Sequence, residues 1–166
     1  MKQIKFFMLE VGLLLIFLCA KCTNSIHGDY RLHISNNSDY NIIPITNPLL
    51  VKLGQPYDTY YPDTLLSDKR HFFGIPISKG EKTGLGDIGL PWDSIYKNIM
   101  VNDTMSVFIF DAKVLDTYSW EEIRDNYMIL KRYDLSLEDL QKLDFTLYYP
   151  PTEAMKEMKM YPPYEE

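Results

Sequence analysis

The chain has two cysteines in 166 residues, and both, Cys19 and Cys22, fall in its opening stretch. The rest has no thiol, which excludes a structural disulfide, a cysteine nucleophile and a thiolate metal site there. Histidine is scarce as well. His27, His33 and His71 show no paired metal-ligand spacing and no His-Glu-x-x-His occurs, so each reads as a strand-face or tether residue. Basic residues number 17 against 23 acidic. Without residues 1–22 the balance is 14 against 22, a net charge of −8. Nucleic acid is disfavoured as a partner, because phosphate binding needs a basic stripe that releases counterions. The adjacent basic pairs Lys69-Arg70 and Lys131-Arg132 stand among acids and read as ordinary solvated charges.

Only one long apolar run is present. Residues 1–22 place Lys2 and Lys5 ahead of an uninterrupted stretch from Val11 to Ala20, the layout of an export signal. A bilayer span needs roughly 20 apolar residues, and Glu10 would interrupt any extension to that length. A signal peptide is therefore expected, with an uncleaved anchor as the competing reading. The end of the run, Leu18-Cys19-Ala20-Lys21-Cys22, resembles a bacterial lipoprotein signal, which implies lipidation at Cys22 and anchoring without a protein span. It departs from that pattern in placing Lys21 where a small residue is usual, and ordinary cleavage after Ala20 or Cys22 is the alternative. The expected organisation is a leader over 1–22, a short polar tether over 23–28 and a single globular domain over 29–166.

Strand signals dominate the first part of that domain. Tyr30, Leu32 and Ile34 alternate with Arg31, His33 and Ser35, then Asn36 to Asp39 supply turn chemistry before Tyr40 to Ile43, which predicts a hairpin. Prolines at 44, 48, 56, 62 and 76 limit further strands to short or edge positions, expected at 57–61 and 71–77. Residues 78–89 hold four of the eight glycines and read as a flexible connection. After Pro91, residues Trp92, Ile95, Tyr96 and Ile99 have helical spacing. The continuous apolar run 104–111 predicts a central strand covered on both faces.

Ser119-Trp120-Glu121-Glu122 and Ser136-Leu137-Glu138-Asp139 are capping boxes that open two short helices. Residues 128–133 between them are expected to be extended. Phe145, Leu147 and Tyr149 alternate in what reads as the last strand, closed by Pro150-Pro151, after which Thr152 caps a helical turn. The tail 160–166 is too short and proline-rich to read as an element. The sum is an α+β fold: a predominantly antiparallel β-sheet or sandwich with two to three short helices in the C-terminal half.

From about Ser35 onward, and most clearly in DTMSVFIFD, YSWEEIRDNYMILKRYDLSLEDL and MYPPY, the chain resembles a family of uncharacterised secreted or lipid-anchored proteins of Bacteroides-like bacteria. That resemblance implies export and an envelope location. It implies no activity and carries no functional residues.

Catalytic motifs do not assemble. Ser94-Ile95-Tyr96-Lys97 and Lys82-Thr83-Gly84 match two motifs of penicillin-binding enzymes, but in reversed order and without the third, so Ser94 reads as a polar helix position. The glycines of 80–89 lack the order of a phosphate loop. Asp58 and Asp63 offer only two carboxylates to a calcium site, which needs more oxygens. No catalytic residue, cofactor or metal ligand is therefore assigned. What remains is aromatic. Tyr57, Tyr60, Tyr61, Tyr161 and Tyr164 form a candidate binding surface, since tyrosine joins an apolar body to a polar tip; Tyr148, Tyr149, Trp92 and Trp120 read more simply as packing residues. The functional expectation is a non-enzymatic envelope protein, held to the membrane by a lipid anchor and binding an envelope protein or glycan. A hydrolase of envelope or host polymers and a structural subunit of a surface assembly are the alternatives.

Overall fold

A computed structural model describes residues 31–47, 66, 74–85, 90–98, 100 and 103–165. The leader, the tether and the strand expected at 57–61 lie outside the described residues, as does the first part of that expected at 71–77.

The run Met105–Asp111 forms β4, and its side chains divide between two cores. Met105, Val107 and Ile109 point to one, while Phe108 and Phe110 point to the other. A strand apolar on both faces needs a layer on each side. Around it, β2 (Ile42–Asn47), β5 (Lys131–Leu135) and β7 (Lys159–Tyr161) complete an antiparallel sheet B in the order β2-β4-β5-β7. Sheet A is β3-β1-β6, in which β1 (Leu32–Asn36) runs antiparallel to β3 (Lys82–Leu85) and parallel to β6 (Thr146–Tyr149).

Leu32 and Ile34 of β1 and Leu147 and Tyr149 of β6 share the first core with Val107, Ile109, Tyr133 and Leu135, so the two sheets form a sandwich. The second core lies on the opposite face of sheet B, closed by α2 (Ala112–Thr117) and α3 (Trp120–Asp125) through Leu115, Trp120 and Ile123. Helices α1 (Trp92–Asn98) and α4 (Leu137–Lys142) contribute Trp92, Ile95, Tyr96 and Leu140 to the first core. The fold is α+β with mostly antiparallel sheets, as expected. Among the described residues it has four short helices rather than two or three, and α2 is the addition: the Asp111 carboxylate accepts the Lys113 N–H at 2.9 Å and starts a helix directly from the end of β4.

Three expectations are corrected. The segments around Asn36 do not form a hairpin, because β1 and β2 belong to different sheets. Asn36 turns the chain between layers. Its fully buried amide donates to the carbonyls of Tyr40 (2.7 Å) and Ile77 (2.9 Å), and its oxygen accepts from the Ser38 N–H (3.0 Å) and hydroxyl (2.7 Å). Second, residues 82–85 are a strand, not a flexible connection. Gly80, at φ +76°, makes the turn, and the chain then runs back along β1. Third, the tail forms β7, which adds three residues to β5 before Pro162 and Pro163 end it.

Other expectations hold in detail. Both capping boxes are closed, at Ser119 with Glu122 and at Ser136 with Asp139. A 3-10 turn, Glu153–Met155, follows Thr152, although the Thr152 side chain makes no capping bond. Two buried tyrosines tie elements together: Tyr96 donates to the Leu135 carbonyl at 3.0 Å, and Tyr133 reaches from sheet B to the Tyr148 carbonyl of β6 at 2.9 Å.

Removing the Asn36 amide strands two carbonyls and two donors of Ser38. Asn36→Ala is expected to lower unfolding free energy by about 2–4 kcal/mol in urea titrations. At Glu122, the backbone N–H and then the hydroxyl of Ser119 hold the carboxyl below its ordinary 4.5. The folded state therefore binds this proton less readily than the unfolded chain. Its stabilisation is complete above pH 4.5 and fades as pH falls through the lowered folded value. Urea midpoints measured from pH 6 down to about 2 should fall less steeply in Ser119→Ala than in the parent.

Candidate functional site

Of the five tyrosines singled out as a binding surface, Tyr57, Tyr60 and Tyr61 lie outside the described residues, as does Cys22. Tyr161 and Tyr164 are described: the first ends β7 and the second follows it in the tail. Tyr161 is 49% exposed, and its surroundings define the site.

Cross-strand register builds the site from the second face of sheet B. Ile45, Phe108, Arg132 and Tyr161 form one row across four strands, and Ser106, Asp134 and Lys159 form the next. The face is thus apolar toward β2 and the helices, and polar with an aromatic edge toward β7. Tyr127, at φ +50° just beyond α3, meets the Tyr161 ring at 5.7 Å between centroids and 60° between planes. The Arg132 guanidinium sits 6.0 Å from the centre of the Tyr161 ring and donates to the Tyr127 hydroxyl at 2.8 Å. A cation at that distance is attracted by the electron-rich ring face.

Behind the rings lies a buried ion pair. The Arg132 side chain is 12% exposed and that of Asp134 is fully buried; Nη2 and Oδ2 are 3.2 Å apart. Ser106 donates its hydroxyl to Asp134 Oδ1 at 2.8 Å. Among the described residues Arg132 Nε has no hydrogen-bond partner, and Asp134 Oδ2 meets the guanidinium as an ion-pair contact without hydrogen-bond geometry. The pair is neutral as a unit and orients the guanidinium toward the tyrosines. Burial raises the Tyr127 phenol above its ordinary value, and Arg132 works in the opposite direction.

Lys131 faces away from this site. It is buried, and its ammonium donates to the carbonyls of Pro162 (3.0 Å) and Pro163 (3.4 Å), fixing the chain that leads to Tyr164. Burial pushes its pKa down, with Glu165 opposing. The Lys131-Arg132 pair is thus no pair of solvated charges. One member anchors the tail and the other the site, because successive strand residues point to opposite faces. Lys69-Arg70 lies outside the described residues.

Tyr127 and Arg132 were not singled out from sequence. The available signal was Arg132 and Asp134 at an i, i+2 spacing, which places opposite charges on one face of a strand whose other face carries Tyr133 and Leu135. The remaining candidates disperse. Asn98 donates its side-chain amide to the Ser94 carbonyl (2.9 Å) and hydroxyl (3.2 Å) on α1, as befits a polar helix position. Lys82-Thr83-Gly84 forms β3, and Trp92, Trp120 and Tyr149 are buried. His27, His71, Asp58 and Asp63 lie outside the described residues. Among the described residues no cluster of three His, Cys, Asp or Glu could hold a metal ion, and no helix is long and apolar enough to cross a membrane.

No family model, curated protein or solved structure matches this chain.

The ion pair is open to a double-mutant test. Asp134→Ala leaves a buried guanidinium uncompensated and is expected to cost about 3–5 kcal/mol, whereas Arg132→Met with Asp134→Leu should cost far less than the sum of its single changes. Urea unfolding of the parent, Arg132→Met, Asp134→Leu and the double variant measures the coupling.

Proposed function

We propose that this chain is an exported, membrane-anchored envelope protein whose domain is a non-enzymatic binding module for a protein or glycan partner. The observation that carries the reading is Tyr161: a half-exposed aromatic ring on an edge strand, held from behind by Tyr127 and Arg132. A ring restrained in this way loses little conformational freedom when a sugar ring or an apolar side chain stacks on it. Its hydroxyl supplies a polar contact at the rim. The leader pattern in residues 1–22 and the resemblance to secreted or lipid-anchored proteins of Bacteroides-like bacteria support the location, with Cys22 as the lipidation site.

The alternative of a polymer hydrolase requires two carboxylates across a cleft. Among the described residues the carboxylate behind the rings is Asp134, and it is occupied by Ser106 and Arg132. The described residues of the site offer packing and hydrogen bonding to a partner.

Cross-linking in the native envelope, followed by identification of what is captured, tests the reading. A defined protein or glycan should be recovered with the parent chain. Its recovery should fall about tenfold with Tyr161→Ala, the effect of losing one exposed aromatic anchor. Recovery unchanged by the substitution, or polymer degradation by the purified chain, would refute the binding role. Full-length protein found in the cytosol with Met1 intact would remove the envelope setting.

A further inference from the structure

A buried ammonium stands beside the strand end that carries the exposed tyrosine. Lys131 is 8% exposed and opens β5 on the face that turns Tyr133 and Leu135 into the first core. A charge at the rim of an apolar core needs hydrogen-bond partners. Pairing of β5 with β7 runs from Asp134 with Lys159 to Arg132 with Tyr161, and the next step would set Pro162 opposite Lys131. There the tail has nothing to donate to a ladder, since Pro162 and Pro163 have carbonyls and no N–H. A lysine ammonium is the complementary group, with three donors and no acceptor. Its bonds to the Pro162 carbonyl at 3.0 Å and the Pro163 carbonyl at 3.4 Å take over where the ladder stops, and the charge of Glu165 favours the ammonium form.

We infer that Lys131 is a positioning residue of the tyrosine edge: its ammonium latches residues 162–165 as a strap, and the latch sets where Tyr161 and Tyr164 stand. The inference deepens the binding role proposed for Tyr161 and rests on it for its functional consequence. Two adjacent residues of β5 then act on one tyrosine from opposite faces of the sheet. Arg132 meets the ring, and Lys131 holds the carbonyl of the residue that follows it. Strand β7 has three residues, so the ladder alone would leave Tyr161, the last of them, at a fraying end. Beyond it the fixed φ of two successive prolines stiffens the path to Tyr164, which is half-buried. The strap therefore turns a single exposed ring into an edge carrying two tyrosines at a set spacing. An ammonium suits this task and a neutral side chain does not. Without the charge the two carbonyls find donors in water, and the strap leaves β5 while the sandwich stays folded.

The test uses the full purified chain, with tyrosine nitration by tetranitromethane read residue by residue by mass spectrometry. Lys131→Met keeps an apolar stem of similar length and removes the donors. Tyr161 and Tyr164 should be nitrated roughly threefold faster in it, through local opening of the strap, while exposed Tyr40 and Tyr118 stay at the parental rate. The urea midpoint should stay level or rise, because an apolar group replaces a buried charge. Lys131→Arg, which retains donors for both carbonyls, should label within about twofold of the parent. In envelope cross-linking, recovery of the captured partner should fall about fivefold in Lys131→Met and return in Lys131→Arg. Unchanged labelling of Tyr161 and Tyr164 in Lys131→Met overturns the latch. A lowered urea midpoint, with Tyr40 and Tyr118 labelled faster as well, gives Lys131 a general packing role and overturns the positioning one. Recovery undiminished in Lys131→Met, where Tyr161→Ala reduces it, does the same. A parent chain that captures nothing refutes the binding role alone, and the nitration rates still decide the latch.

Discussion

Everything in this fold depends on β4 having no face that tolerates water. Six of its seven residues are buried, from Met105 to Phe110. Burying one large apolar side chain stabilises by about 1.5–3 kcal/mol, so leaving either face open would forfeit several such contributions. One face is met by sheet A and the other by α2 and α3. The chain must therefore pass from one layer to another repeatedly, and the polar groups at those passages need partners of their own. Asn36 supplies them at the first crossing, and the Asp111 carboxylate does so where β4 gives way to α2. Tyr133 does so across the sheets. With no cysteine after Cys22, packing and these bonds carry stability to which no disulfide can contribute.

Sequence alone was informative where a local rule acts without competition. The apolar run 105–110, the two Ser-led capping boxes and the proline-started α1 are each decided within a few residues, and each stands as expected. The failures occur where pairing at long range overrides local signals. Residues 36–39 have turn chemistry, but whether a turn closes a hairpin or joins two sheets depends on Ile77, 41 residues from Asn36. Glycine density in 80–89 suggested a loop, yet Gly84 pairs with His33 of β1, and its missing Cβ leaves room for the Arg31 side chain. The tail was short and proline-rich, but β5 had a free edge, and three residues suffice when the partner strand is already in place.

The candidate site was half legible for a similar reason. Tyr161 was identified by its chemistry, while its neighbours Tyr127 and Arg132 come from a left-handed residue after α3 and from the middle of β5, far away in sequence. Arg132 also shows why charge in a sequence is a poor guide to exposure. A guanidinium paired with a carboxylate can sit inside a sheet face when a hydroxyl such as that of Ser106 satisfies the carboxylate's other oxygen. Such pairs contribute little net stability compared with apolar residues of the same size. Here the pair serves orientation, since it fixes the guanidinium against which Tyr161 rests.

The two outward surfaces of the molecule differ in kind, and sandwich geometry sets them on opposite sides. Sheet A turns Arg31, His33 and Lys82 outward, while the far face of sheet B ends in the Tyr127 and Tyr161 rings. The difference follows from what each outward row meets. On sheet A the Lys82 ammonium reaches across the strands to the Thr146 hydroxyl, whereas on sheet B the Arg132 guanidinium is held against Asp134 and donates to Tyr127, so that a polar row becomes the support of an aromatic edge.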